Sequence, residues 1–253
     1  TFIACNALKV IFDAMPVDKP KVVVWLVPSD TILEQTYKNL NNVLHPYRQR
    51  LNTLFNASVK VVNKETALMG EGISFTQLCQ QLTVFVLGVD SFVEAVRGDN
   101  KLPRSYRENE NLAFSENPGI GRKVNIPKAE STSLIAYIAK LNPVVIIDES
   151  HNFGSDLRVD LLNNINPCFI YELTATPKKT SNIISFVDAM KLKEENMVKL
   201  PVIVYNHKST NDVISSAIAL RNNLEEMAGK EDAYIRPIVL FQAQSNIDDE
   251  SIN

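Results

Sequence analysis

Glycine is scarce in this chain, 8 of 253 residues, about half the share of an ordinary globular protein. Long apolar runs are missing too. None approaches the roughly 20 residues that a membrane-spanning helix needs, and the chain does not open with the basic, apolar, small-residue order of a signal peptide. Cysteine is limited to Cys5, Cys79 and Cys168, an odd number set far apart in apolar company. That excludes a disulfide scaffold and predicts buried free thiols in a reducing compartment. His45, His151 and His207 are equally scattered, so no zinc spacing exists. Neither charge sign dominates: 26 basic against 29 acidic residues give a net charge of -3. This argues against a broad basic surface for nucleic acid but leaves room for a narrow groove. Together these absences predict a cytoplasmic protein with no membrane association.

What is present is globular. Hydrophobic residues make up 45% and charged residues 22%, which excludes a disordered tail and a fibre, and the length suits one large domain or one plus part of a second. Residues 1–14 read as an amphipathic helix that begins at once, with no turn ahead of it, as if its leading loop lay upstream of Thr1. Val22–Val27 is a continuous β-branched run, the pattern of a strand covered on both faces. Pro28 ends it. Thr31 with Glu34 predicts a capping box for a helix over 31–40.

Further strands are predicted at Val59–Val62, Thr83–Leu87, Val144–Ile147, Phe169–Leu173, Pro201–Tyr205 and Pro237–Phe241. Helices are predicted at Asp90–Val96, Leu134–Leu141 and Asp212–Met227. Residues 98–130 are polar and proline-bearing, which predicts a surface insertion. Strands alternating with helices imply a mostly parallel sheet with helices on both faces, an α/β fold.

Ligands of such sheets collect at the carboxyl ends of the strands. Three strands here end in polar clusters: Pro28-Ser29-Asp30, Asp148-Glu149-Ser150-His151 and Thr174-Ala175-Thr176-Pro177. Acidic and hydroxyl residues at strand ends also cap helices, so each cluster alone is ambiguous. Their order and separation carry more. Val145–His151 resembles the Walker B or DExH box of superfamily 2 helicases, and Leu173–Pro177 resembles their motif III. Val24–Ser29, followed by a helix containing Gln35, resembles motif Ia, and Pro237–Gln242 resembles motif IV, which opens the second lobe. The stretches Val187-Asp188-Ala189 and Met197–Val202 narrow the resemblance to the restriction (Res) subunit of type III restriction–modification enzymes, an ATP-dependent DNA translocase joined to a nuclease.

The resemblance implies a RecA-like P-loop NTPase lobe over residues 1–205, with a linker helix and the start of a second RecA-like lobe over 206–253. It implies ATP and Mg²⁺ as cofactors, DNA as substrate and a DNA methyltransferase (modification) subunit as partner. Asp148 would hold Mg²⁺, Glu149 would orient and deprotonate the attacking water, and His151 would link the γ-phosphate side to Thr174, Ala175 and Thr176. Thr1 matches the last residue of the Gly-Lys-Thr of motif I, so its hydroxyl would be a second Mg²⁺ ligand. Ser29, Gln35 and Ser91 would face nucleic acid, with plain helix capping as the alternative for the serines.

The chain departs from the family at motif I. It has no Gly-x-x-x-x-Gly-Lys-Ser/Thr string: Gly229-Lys230 runs into Glu231, and Gly119-Ile120-Gly121-Arg122-Lys123 follows no strand and reads as a flexible turn. No motif VI arginine and no nuclease domain are present in these residues. The expectation is therefore an ATP hydrolase motor whose 253 residues alone are inactive. The alternatives are another superfamily 2 helicase acting on RNA or on DNA outside restriction, or a non-hydrolysing scaffold of the same fold.

Overall fold

Strict alternation of apolar side chains builds the sheet. In the computed structural model, β1 (Val22–Val27) is buried along its whole length. Val22, Val24 and Leu26 enter one apolar cluster, and Val23, Trp25 and Val27 enter another on the opposite face. A strand with period-2 geometry can be apolar throughout only if both faces are covered. The same division repeats in β3 (Leu82–Gly88) and β4 (Val144–Asp148).

The structure describes residues 1–92, 102–117, 119, 121, 124–148, 155–177, 182–195, 197, 204–207, 209–230, 234 and 236–241. The chain divides into two units, Thr1–Ile183 and Ile184–Asn253. In the first, β2 (Val59–Val62) and β5 (Phe169–Leu173) complete a five-stranded sheet of order β2-β3-β1-β4-β5, with every pairing parallel. One face is covered by α1 (Phe2–Asp13), α2 (Asp30–Asn41) and α3 (Pro46–Leu54), which contribute Leu8, Leu40 and Leu51. The other is covered by α4 (Lys64–Leu68), α5 (Phe75–Gln80), α6 (Leu134–Leu141) and α7 (Ser155–Ile165). Parallel pairing demands crossovers, and the helices supply them.

Several expectations change in detail. The capping box at Thr31 and Glu34 does not form. Pro28 stops the strand, Ser29 takes an extended conformation (φ -147°, ψ 155°) as N-cap, and α2 starts at Asp30. The helix expected over 90–96 begins as a single 3-10 turn, Val89–Ser91, and its remainder lies outside the described residues. The polar segment 98–130 is not simply superficial: Tyr106, Leu112 and Ile126 join the buried cluster beside α6. Gly121 in that segment is not a loose turn either. Its φ is +63°, and a Cβ there would sit 2.1 Å from the Lys140 carbonyl oxygen, so glycine is required by close backbone approach. Of the cysteines only Cys5 is buried; Cys79 and Cys168 are exposed.

The second unit contains α8 (Ala189–Glu194) and α9 (Thr210–Lys230), the latter longer than the helix expected over 212–227. Residues 237–241 form no strand, having no ladder partner among the described residues. Of the strand expected over 201–205, residues 204 and 205 have no regular structure, and the others lie outside the described residues. No helix among the described residues is long and apolar enough to cross a membrane.

Candidate nucleotide site and nucleic-acid edge

The parallel register puts the polar clusters on one edge. Ile147 of β4 is level with Leu26 of β1, and Asp148 is level with Leu173 of β5. Val27 of β1 is level with Gly88 of β3. The carboxyl ends of β3, β1, β4 and β5 therefore lie side by side along one edge. They carry, in spatial order, Asp90-Ser91, Ser29, Asp148 and Thr174.

Two residues far apart in sequence meet there. The Thr1 hydroxyl donates to Asp148 Oδ2 at 3.4 Å, with both residues half-buried. Thr1 is brought to that position as the N-cap of α1, which is anchored by Ala4, Cys5, Leu8 and Phe12 in the core. Asp148 is brought there as the last residue of a strand whose preceding four are buried. A hydroxyl and a carboxylate are hard oxygen donors, the kind that suits Mg²⁺ with water and phosphate oxygens completing the shell. No cluster of three or more histidine, cysteine, aspartate or glutamate side chains occurs among the described residues, so an all-protein metal cage of those groups is not formed among them. Glu149, Ser150 and His151 lie outside the described residues.

Thr174 lies one residue beyond β5. Its Oγ1 accepts a hydrogen bond from the Thr176 backbone N at 3.1 Å, a local turn that holds the Thr-Ala-Thr segment at the edge. Ala175 and Thr176 are exposed.

On the β1 and β3 side, Ser29 and Gln35 are exposed, and the Ser29 side chain makes no cap hydrogen bond to α2. Ser91 behaves differently. It is 7% exposed, and its carbonyl accepts the Ser105 hydroxyl, so its side chain is not presented at the surface as a phosphate contact would be. Ser105, Tyr106 and Asn164, which join this region to α7, were not legible as site-related residues. The only sequence signal for them is a tyrosine in an otherwise polar, proline-led segment.

A separate concavity of about 370 Å³ lies at the opposite edge, lined by Lys9, Lys21, Ser58 and Gln81 among others. Part of its polar lining is already engaged: Lys9 pairs with Asp13, and the Ser58 hydroxyl donates to the Gln80 carbonyl. The carboxyl edge is the better candidate, on chemistry and on position in a parallel sheet.

Five parallel strands sandwiched by helices form an α/β lobe whose carboxyl edge joins Thr1 to Asp148, and its family match makes it a RecA-like lobe of the P-loop helicase type. The family model for the type III restriction enzyme, res subunit, matches residues 1–179, and the chain belongs to that family of helicase-type ATPases. A search of the curated proteins found no match.

Proposed function

We propose that this lobe is part of an ATP-driven DNA translocase, the motor of a type III restriction enzyme Res subunit. The observation that carries the reading is the Thr1–Asp148 contact at the carboxyl edge, 147 positions apart in sequence. Family membership over residues 1–179 supports the helicase-type assignment.

In this reading Thr1 and Asp148 hold Mg²⁺, which when bound neutralises phosphate charge and fixes the triphosphate. Glu149, one residue past the end of β4, takes the proton of the attacking water. His151 and the Thr174–Thr176 turn relay the state of the nucleotide to the neighbouring lobe. Hydroxyls suit that relay because each can donate or accept. Ser29, Gln35 and the amides opening α2 face a DNA strand, and the partner is a DNA modification subunit. A helicase acting on RNA, or on DNA outside restriction, would keep the same edge, as would a scaffold that no longer hydrolyses ATP.

The test compares Glu149→Gln with wild type in a protein that carries a Gly-x-x-x-x-Gly-Lys loop ahead of Thr1 and a second lobe. ATP binding should survive, and DNA-stimulated turnover should fall at least about 100-fold, because an amide cannot act as the base. Wild-type turnover in that variant would remove Glu149 from the mechanism. Turnover stimulated equally by RNA would favour the first alternative, and none in wild type the scaffold. Calorimetry on the 253 residues alone should register no specific ATP binding, since the amides and lysine that dominate phosphate recognition are not among them.

A further inference from the structure

The segment 102–130 is fastened to the first unit at four places. The Ser105 hydroxyl donates to the Ser91 carbonyl, in the turn after β3. The Asn164 amide, on α7, donates to the Tyr106 hydroxyl at 3.0 Å. Asn109 and Asn111 side-chain amides both donate to the Leu68 carbonyl, at 2.8 and 3.2 Å. Lys140 Nζ on α6 donates to the Ser115 carbonyl at 2.8 Å.

Two glycines are shaped to this docking. A Cβ at Gly70 would lie 2.6 Å from the Asn111 carbonyl oxygen, and one at Gly121 would meet Lys140. Ser105 is fully buried and Tyr106 is 7% exposed, packed in the same cluster as Leu161 and Ile165 of α7. A solvated insertion would need neither a buried serine nor a buried tyrosine hydroxyl with a dedicated partner.

The consecutive residues Ser105 and Tyr106 thus reach two different elements. One is the turn after β3, beside the exposed Ser29 edge. The other is the helix that follows the Asp148 strand. We propose that Ser105 and Tyr106 are positioning residues, forming an internal brace that couples the turn at 89–92 to α7. Resting on the DNA-driven ATPase reading above, the brace lets a strand seated on the β3–β1 side of the edge alter the β4 side, where hydrolysis would occur. Ser91 is then the anchor of the brace and not a ligand contact. Coupling of this kind travels through packed side chains and hydrogen bonds that are contiguous, as these are.

Amide hydrogen exchange on the 253-residue chain tests the brace in two arms. Without nucleic acid, Ser105→Ala should speed exchange at 89–92 and also at 161–165, each by about 3- to 10-fold, and its effect at 161–165 should be non-additive with that of Tyr106→Phe. Asn164→Ala replaces Ser105→Ala should the latter not fold. With an oligothymidine strand added, exchange should slow at 29–33 and at 161–165 in wild type. Tyr106→Phe should keep the first effect and lose the second, a response that a merely structural tyrosine would not show. Additive effects in the first arm, or α7 protection that persists in Tyr106→Phe, would overturn the brace. Non-additivity without any protection at 29–33 would sustain the brace and overturn the nucleic-acid reading instead.

Discussion

Residues 1–183 and residues 184–253 treat their apolar side chains in opposite ways. In the first unit, Val24, Leu26, Phe85, Val145 and Ile147 vanish into one face of the sheet, and Trp25, Val84 and Ile146 into the other. In the second, α9 has Ala228 as its single buried residue and leaves Val213, Ile218, Leu224 and Met227 on its surface. Yet α9 runs for 21 residues, whereas the apolar run 237–241 in the same unit forms no strand. The difference lies in where backbone hydrogen bonds go. A helix closes its bonds within itself, and ion pairs such as Arg221–Glu225 and Glu226–Lys230 add support one turn apart. A strand must find its partners elsewhere, so an apolar run becomes a strand only where neighbours exist.

The contrast can be broken by substitution. The largest effect is expected at Leu26, a β1 residue enclosed in the apolar cluster that α6 also enters: Leu26→Ala should cost about 2–5 kcal/mol in urea unfolding of the chain. A loss below about 1 kcal/mol would mean that the first unit is far less close-packed than its burial indicates.

A pH scan sharpens the comparison from the buried side. Burial pushes the Cys5 thiol from its usual 9.0 up to about 11, against smaller opposing effects of the N-terminal charge and a backbone hydrogen bond. The unfolded chain therefore gives up this proton first. Stability should be fully present below pH 9.0 and lost as pH rises through about 11, by something on the order of 2 kcal/mol. Burial and the charge of Cys79 also raise Tyr137, so the readout is the difference in slope between wild type and Cys5→Ala. Identical slopes in the two proteins would show that the thiol is solvated.

The smallest effect belongs to α9. Ile218 is 46% exposed, and Ile218→Ala should change unfolding by no more than about 0.5 kcal/mol in the 253-residue chain. A cost approaching that of Leu26→Ala would reveal a packing partner for this helix and erase the contrast.

The same physics decides how much could be read from sequence. All five strands of the sheet were legible because each is a short, dense apolar run between turn signals. The helices α1, α2, α6 and α9 were legible from their spacing. Helices α3, α4 and α5 were not, because α3 buries only Leu51 and the other two are 5 and 6 residues long. The start of α2 lies one residue earlier than the pattern predicts, because Thr31 and Glu34 satisfy the capping spacing from positions already inside the helix. At the candidate site, Asp148 and Thr1 could be paired only through the helicase resemblance; their separation of 147 positions leaves no local trace. Ser91 was legible as a polar residue after a strand, but nothing near it in sequence announces that Ser105 will draw its carbonyl inward.

Trp25 is the chain's single tryptophan, and it occupies the middle of the central strand β1. Its ring is fully enclosed with Cys5 and Leu8 in the same apolar cluster, and among the described residues its Nε1–H has no hydrogen-bond partner. An indole kept from water and from polar acceptors emits at the blue end of its range and is shielded from soluble quenchers. The molecule thus carries its own optical gauge, placed where the first helix meets the sheet. Lifting α1 away would redden and quench that signal before the whole chain unfolds.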